Sequence, residues 1–242
     1  HPDDARPVRQ ARIGVLQALT AGLPDEGYTR LLLEQYGFPY VTVTPKDLAE
    51  KIGKLDILLL PSYPAALLRG EGDLSMLPPE HRVCMTKKEE EALRRFVTDG
   101  GRLAAWDAAV PYAADVLGLK LRDRAEGLPR SAYNTHGSTL RVRTEESPYT
   151  LGMPREALVL HMSAPVLEVT ERVHPENYRT DLRFAREKVL ESGLLVGESL
   201  LAGRPCMITA RVGRGEAILY AFSPQFRAQT DGTYKLLFNT LY

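Results

Sequence analysis

Apolar residues in this chain fall into short aliphatic runs separated by amphipathic stretches, and the clearest unit spans residues 87–119. Lys-Lys-Glu-Glu-Glu-Ala-Leu-Arg-Arg-Phe-Val sets Ala92, Leu93, Phe96 and Val97 at the i, i+3, i+4 spacing of a half-buried helix. Gly100-Gly101 stops it. Leu103, Ala104, Ala105 and Trp106 then form the unbroken apolar run of a strand covered on both faces, and Asp107 follows where the chain turns into the next helix. In open α/β sheets that junction is where ligands bind.

Upstream, the same alternation repeats. Residues 13–19 predict a first strand and residues 28–36 a helix, with Asp25 or Glu26 at its N-terminus, where a carboxylate meets the positive end of the helix dipole. Residues 38–43 predict a second strand, Thr44-Pro45-Lys46-Asp47 the start of a short helix, and residues 55–60 a third, aliphatic strand. Strands alternating with helices at this spacing imply βαβ units, a parallel sheet and an α/β fold class. A proline- and glycine-rich loop, residues 61–85, interrupts the pattern and passes the strand ends.

The character changes after residue 122. Ser138-Thr-Leu-Arg-Val-Arg-Thr alternates with period two, and residues 157–162 and 165–169 are further strand-like runs, so an antiparallel excursion is expected over about 122–190. Arg141 and Arg143 fall on its wet face. Residues 176–188 form a polar excursion with room for a short helix, and Leu194-Leu195-Val196-Gly197 resumes the core. Residues 206–212 and 216–222 flank Gly213-Arg214-Gly215 as a hairpin, and residues 232–242 form a closing helix. Residues 1–11 read as a linker or arm and residues 12–242 as one domain.

Charge narrows the partners. Lys plus Arg and Asp plus Glu are both 31, so no global field exists to hold nucleic acid or an anionic membrane. No apolar run approaches the ~20 residues of a membrane span. Cys84 and Cys206 make no disulfide framework. The start at His1 suggests a piece excised from a longer polypeptide, which leaves the compartment open.

A strand, a sharp turn and a helix at mid-sheet is the layout of a nucleophile elbow. Here the turn reads Trp106-Asp107-Ala108-Ala109, without Ser, Cys or Thr. Asp107 can serve as nucleophile or base, but capping the helix that follows is the commoner role for such a residue. His1, His81, His136, His161 and His174 are dispersed, with no His-x-x-Glu and no His-x-x-x-His, so metal chemistry has no support within the chain. Gly213-Arg214-Gly215 joins two strands and does not open a helix, as a phosphate cradle would. A polar constellation remains: Glu26 and Tyr28 after the first strand, Asp107 at the elbow, and Gln225 and Arg227 after the last long strand can face one crevice. Each also has a structural use, Glu26 as a helix-terminus charge, Arg227 as its ion-pair partner and Gln225 as a turn residue.

Several segments carry a family resemblance: Asp25-Glu26-Gly27-Tyr28-Thr29-Arg30 with Leu33-Glu34-Gln35, Phe38-Pro39-Tyr40, Leu93-Arg94-Arg95-Phe96-Val97 with Gly100-Gly101, Gly137-Ser138-Thr139-Leu140-Arg141-Val142, Gly197-Glu198-Ser199-Leu200-Leu201-Ala202-Gly203, and Pro224-Gln225-Phe226-Arg227-Ala228-Gln229 with Lys235-Leu236-Leu237-Phe238-Asn239. On these the chain resembles the class I glutamine amidotransferase-like fold, and more narrowly the domain of that fold found C-terminal to the catalytic domain in bacterial M14-type zinc carboxypeptidases. The resemblance implies a three-layer, flavodoxin-like α/β domain with an antiparallel insertion or extension. Working members place Cys at the elbow and His-Pro-Glu after a late strand, whereas this chain offers Asp107-Ala108 and Ser223-Pro224-Gln225. His174-Pro175-Glu176 spells the tripeptide but leads into the polar excursion.

The resemblance therefore implies a non-catalytic accessory domain that binds an upstream catalytic domain, a second protomer or a substrate segment, with no cofactor of its own and zinc expected only in the parent's catalytic domain. One alternative is a hydrolase of altered chemistry using Asp107 and Glu26 on a small amide or glycoside. The other is an oligomerisation domain.

Overall fold

The computed structural model describes residues 9–18, 24–71, 73–75, 77–79, 82–162 and 164–242. Most of the expected arm, together with His1 and His81, lies outside them. The central unit folds as the sequence dictates. Helix α4 (Lys87–Thr98) opens with a capping box in which Thr86 and Glu89 satisfy each other's backbone N–H groups. It closes with Gly100 at φ 118° and the Gly101 N–H on the Phe96 carbonyl at 2.9 Å, a left-handed stop that favours glycine. Strand β4 (Arg102–Trp106) follows, its last four residues buried, then a 3-10 turn at Asp107–Ala109 and helix α5 (Val110–Leu117).

Strands β1 (Ile13–Leu16), β2 (Tyr40–Val43) and β3 (Ile57–Leu60) run parallel with β4 and with the late strand β12 (Gly215–Tyr220), in the spatial order β2-β1-β3-β4-β12. β1 and β3 are buried throughout, and β4 and β12 are buried and apolar from Leu103 and Ala217 onward, as strands covered on both faces must be. Helix α1 (Pro24–Gln35) meets α7 (Asp231–Thr240) through Tyr36 and Tyr234, while α4 packs against α5 and the one-turn helix α2 (Leu48–Lys51). Two separate helical groups are what covering both faces requires. The chain runs out from β1 to β2 and returns to β3 on β1's other side, so the strand order switches direction at β1.

The remaining strands, β6 (Ser138–Thr144), β7 (Glu156–His161), β9 (Tyr178–Phe184), β10 (Leu190–Ser192) and β11 (Pro205–Val212), extend this into a ten-stranded mixed sheet by antiparallel pairing. The one-turn helix α6 (Glu198–Leu201) leads into β11. A separate pair joins β5 (Leu121–Asp123) to β8 (Leu167–Val169). The β11–β12 hairpin turns at Gly213, φ 60°, where a Cβ would come within 2.5 Å of the Thr98 carbonyl oxygen.

Four expectations are corrected. The polar stretch 176–188 holds β9, a strand between β6 and β11. Polarity concealed it because buried Asp181 is satisfied from the neighbouring strand as well as its own: Thr209 Oγ1 donates to it at 2.6 Å and Arg179 Nε at 2.8 Å. The helix expected from Thr44 begins at Leu48 instead, since the Thr44 N–H donates to Asp47 Oδ1 at 2.7 Å and 44–47 form a turn. Leu194 is exposed at the surface and does not resume the core. The long loop contains the one-turn helix α3 (Ala65–Leu68). Among the described residues no helix is long and apolar enough to cross a membrane.

Candidate functional site

The C-terminal ends of β1, β3, β4 and β12 converge on one carboxylate, that of Asp25 in the first turn of α1. Asp25 Oδ2 accepts from Trp106 Nε1 at 2.6 Å and from the Ser62 N–H at 2.9 Å. Its Oδ1 accepts from Ser223 Oγ at 3.2 Å and Gln225 Nε2 at 3.3 Å. Gln225 Nε2 also donates to Thr29 Oγ1 at 2.8 Å, and Ser223 Oγ lies 3.0 Å from Gln225 Oε1. Trp106, Thr29, Ser223 and Gln225 are buried. Burial pushes the Asp25 carboxyl up from the ordinary range, and these donors pull it back.

Asp107 stands beside this cluster. Its φ of 52° places it in the left-handed region, the sharp strand-to-helix geometry of a nucleophile elbow. Such a conformation costs a non-glycine residue about 1–3 kcal/mol. The Asp107 side chain caps no helix, contrary to the capping expectation: α5 starts at Val110 with Ala109 before it, and Asp107 Oδ2 accepts instead from Ser62 Oγ at 2.7 Å. Ser62 thus links two carboxylates, its N–H on Asp25 and its hydroxyl on Asp107. Burial, and after it the charge of Asp25, pushes the Asp107 carboxyl up to about 6.

The other expected site residues occupy the same end of the sheet with different partners. Glu26 is buried and ion-pairs with Arg30 one helical turn away, which replaces the expected Glu26–Arg227 pair. Arg227 is exposed, its guanidinium 5.2 Å from the Phe226 ring centroid, and Phe226 meets Tyr28 edge-on at 6.4 Å. Arg227 and Ala228 are both left-handed, φ 51° and 50°. With Asp107, three of the four non-glycine residues of positive φ among the described residues flank the strand ends of β4 and β12.

Sequence reasoning missed Asp25 as the hub, and missed Ser62 and Thr29. The available signal was Trp106, because a buried indole N–H requires an acceptor. His174 and Glu176 pair on the surface at 3.2 Å before β9, on the antiparallel extension. Cys206 is buried in β11 with its thiol pushed well up by burial. Among the described residues no three His, Cys, Asp or Glu side chains gather to hold a metal ion.

No family model matches this sequence, and no curated protein matches it. Solved structures do. The chain is similar to a protein described as a GMP synthase subunit from Thermoplasma acidophilum, with a TM-score of 0.58 and 10% identity over 97% of this chain and 94% of that one. It is similar to a ThuA-like protein from Bacteroides uniformis, with a TM-score of 0.56 and 13% identity over 99% and 93%. The fold is glutamine amidotransferase-like. A third similar structure, β-galactosidase from Bacillus circulans sp. alkalophilus, has a TM-score of 0.57 and 11% identity, the likeness covering 96% of this chain and 30% of that enzyme. In this amidotransferase-like domain the elbow position carries Asp107, while Ser223 and Gln225 after β12 turn inward onto Asp25.

Proposed function

We propose that this amidotransferase-like domain is non-catalytic and acts by binding, as an accessory domain that restricts or positions the catalytic domain of an M14-type zinc carboxypeptidase. The observation that carries the first half is the elbow itself. Its left-handed geometry is intact at Asp107, yet among the described residues the one side-chain hydrogen bond to that carboxyl comes from the Ser62 hydroxyl. A Ser or Cys nucleophile would need a base within hydrogen-bond reach; the elbow carries neither, and Ser223 and Gln225, after β12, are spent on Asp25. The carboxypeptidase context rests on the sequence resemblance. The accessory role is supported by the fact that a similar fold makes up 30% of a larger enzyme chain, the Bacillus circulans β-galactosidase. Zinc would then belong to the parent's catalytic domain, and the partner would be that domain or a substrate segment.

A panel of glutamine, ester and peptide substrates tests the first half. The expected result is no turnover above that of Asp107→Ala; hydrolysis that Asp107→Ala abolishes overturns it. Parentage is tested by the sequence encoded upstream of His1, where a His-x-x-Glu followed by a distant histidine is expected. One observation favours a second reading, altered acid-base chemistry: a carboxyl held at about 6 on a strained elbow suits a general acid or base. The carboxylate linked to it is Asp25 through Ser62, whereas Glu26 is engaged with Arg30. The same panel would reveal such chemistry as a rate that rises or falls near pH 6.

A further inference from the structure

Strand β7, on the antiparallel extension, pairs only with β6, and its other side is an edge of the ten-stranded sheet. The Thr144 N–H donates to the Arg155 carbonyl at 3.1 Å, which fixes the phase of the ladder: Ala157, Val159 and His161 turn their backbone groups to β6. Glu156, Leu158 and Leu160 turn theirs outward, each with one donor and one acceptor. Among the described residues nothing hydrogen-bonds these outward groups. The edge lacks the usual guards: β7 contains no proline, glycine, lysine or bulge, and Leu158 is 46% exposed. The opposite edge, β2, is guarded by Lys51 Nζ, which donates to the Thr42 carbonyl at 2.8 Å.

A cavity of about 430 Å³ adjoins the β7 edge on the wet face of the sheet. The register sets Arg141 opposite Leu158 and Arg143 opposite Glu156, so these side chains share that face. The far wall is the segment 185–188 between β9 and β10. Its shape is held, since Arg141 Nη1 donates to the carbonyls of Lys188 at 3.0 Å and Leu190 at 2.9 Å, and Lys188 is left-handed at φ 51°. Arg141, Arg143, Arg186 and Lys188 line the cavity against two carboxylates, Glu156 and Glu187. Arg141 also pairs with Glu191, and Arg143 reaches Glu156 at 3.4 Å, whereas Arg186 and Lys188 have no carboxylate partner among the described residues.

We propose that the β7 edge binds an extended, acidic polypeptide segment as an added strand, with an acidic side chain beside Leu158 directed toward the cavity's cations and an apolar one beside Leu160. Outward N–H and C=O groups repeating every ~7 Å along an edge are matched by another extended backbone and not by a small molecule. Main-chain hydrogen bonds supply the affinity, and the cations select the sign of the side chains. A second copy of this chain would set the same cations across the joint, so charge disfavours pairing of β7 with itself. The proposal draws on neither the elbow nor the parent's identity, and hydrolysis at the elbow would leave it standing.

Fluorescence anisotropy of the full chain with a labelled peptide of about ten residues, alternating valine and glutamate, tests it. Saturable binding is expected, with the lysine counterpart of that peptide at least about tenfold weaker. Leu158→Pro removes an outward N–H and leaves the β6 ladder whole, so binding should fall at least about tenfold with circular dichroism unchanged. Arg186→Ser combined with Lys188→Gly should weaken the glutamate peptide about fivefold and leave the lysine peptide unweakened. Should the proline variant unfold, the unaltered chain decides. Bound peptide should slow hydrogen exchange at the Leu158 and Leu160 amides at least about tenfold, and leave the Val159 amide, already bonded to β6, unchanged. No saturation with the glutamate peptide, equal binding of the lysine one, indifference to a folded Leu158→Pro or to the loss of both cations, or unprotected Leu158 and Leu160 amides overturns the proposal.

Discussion

Replacing Asp25 separates two roles that a buried carboxylate can play, hydrogen-bond acceptor and counter-charge. Asp25→Ala leaves the Ser62 N–H and the Trp106 indole N–H without their acceptor. Each buried orphan donor costs about 1–3 kcal/mol. Ser223 and Gln225 lose less, because they retain each other and Gln225 retains Thr29. Against this stands the removal of a carboxylate that burial disfavours, which leaves a net loss of about 3 kcal/mol. Asp25→Asn behaves differently. With its oxygen at the Oδ2 position it still accepts from Ser62 and Trp106, and its amide at the Oδ1 position can donate to Ser223 Oγ and to a rotated Gln225. Its cost is expected at about 1 kcal/mol or less.

Thermal unfolding followed by circular dichroism, with the single tryptophan as a second probe inside the site, measures both variants. For a chain of this size the alanine variant should lose roughly 6–12 °C in Tm and the asparagine variant a third of that or less. An asparagine variant as unstable as the alanine one would refute the acceptor argument and make charge the essential property. An alanine variant within about 2 °C of the parent would refute the hub itself.

Asp107→Asn should stabilise the chain above pH 6 and lose that advantage below pH 4. The reason is the raised carboxyl: with a folded value of about 6 against about 4 unfolded, the folded state binds the extra proton between them, so stability falls as pH rises through that window, by up to ~3 kcal/mol. Parallel urea curves at pH 4, 5, 6 and 8 check this, and a constant difference between variant and parent sinks it. His161 works in the opposite sense: burial holds its imidazole down to about 3, so its contribution is present at neutral pH and is lost as pH falls below about 6.5. His161→Gln should therefore flatten the acid side of the stability curve, and an unchanged slope would show that the buried ring charges without penalty. Gly213→Ala should cost about 2–3 kcal/mol, since its Cβ meets the Thr98 carbonyl at 2.5 Å on top of the strain of φ 60°, whereas Gly37→Ala at φ 72° has open space and should cost about 1 kcal/mol. Equal losses at the two positions would show that conformation alone, without the collision, sets the cost.

The sequence by itself determined the parallel half of the fold, because aliphatic runs such as 57–60 and 103–106 have no stable place except between two covering layers, and the amphipathic residues between them supply those layers. It also located the strand–turn–helix junction at Asp107, and neither Trp106-Asp107-Ala108-Ala109 nor Ser223-Pro224-Gln225 carries a Cys or His. Local pattern failed where a polar residue is neutralised by a partner distant in sequence. β9 read as a polar excursion because Asp181 is matched by Thr209, 28 residues later. Asp25 read as a helix-terminus charge because its donors Ser62, Trp106, Ser223 and Gln225 arrive from three other strand ends, up to 200 residues away. Glu26, its neighbour and the expected site carboxylate, found its ion-pair partner within its own helix. Periodicity shows which face of an element is buried. Which of two adjacent carboxylates the sheet gathers its donors around is decided only when the strands have paired, since the backbone trace through the switch point aims one inward and leaves the other to Arg30.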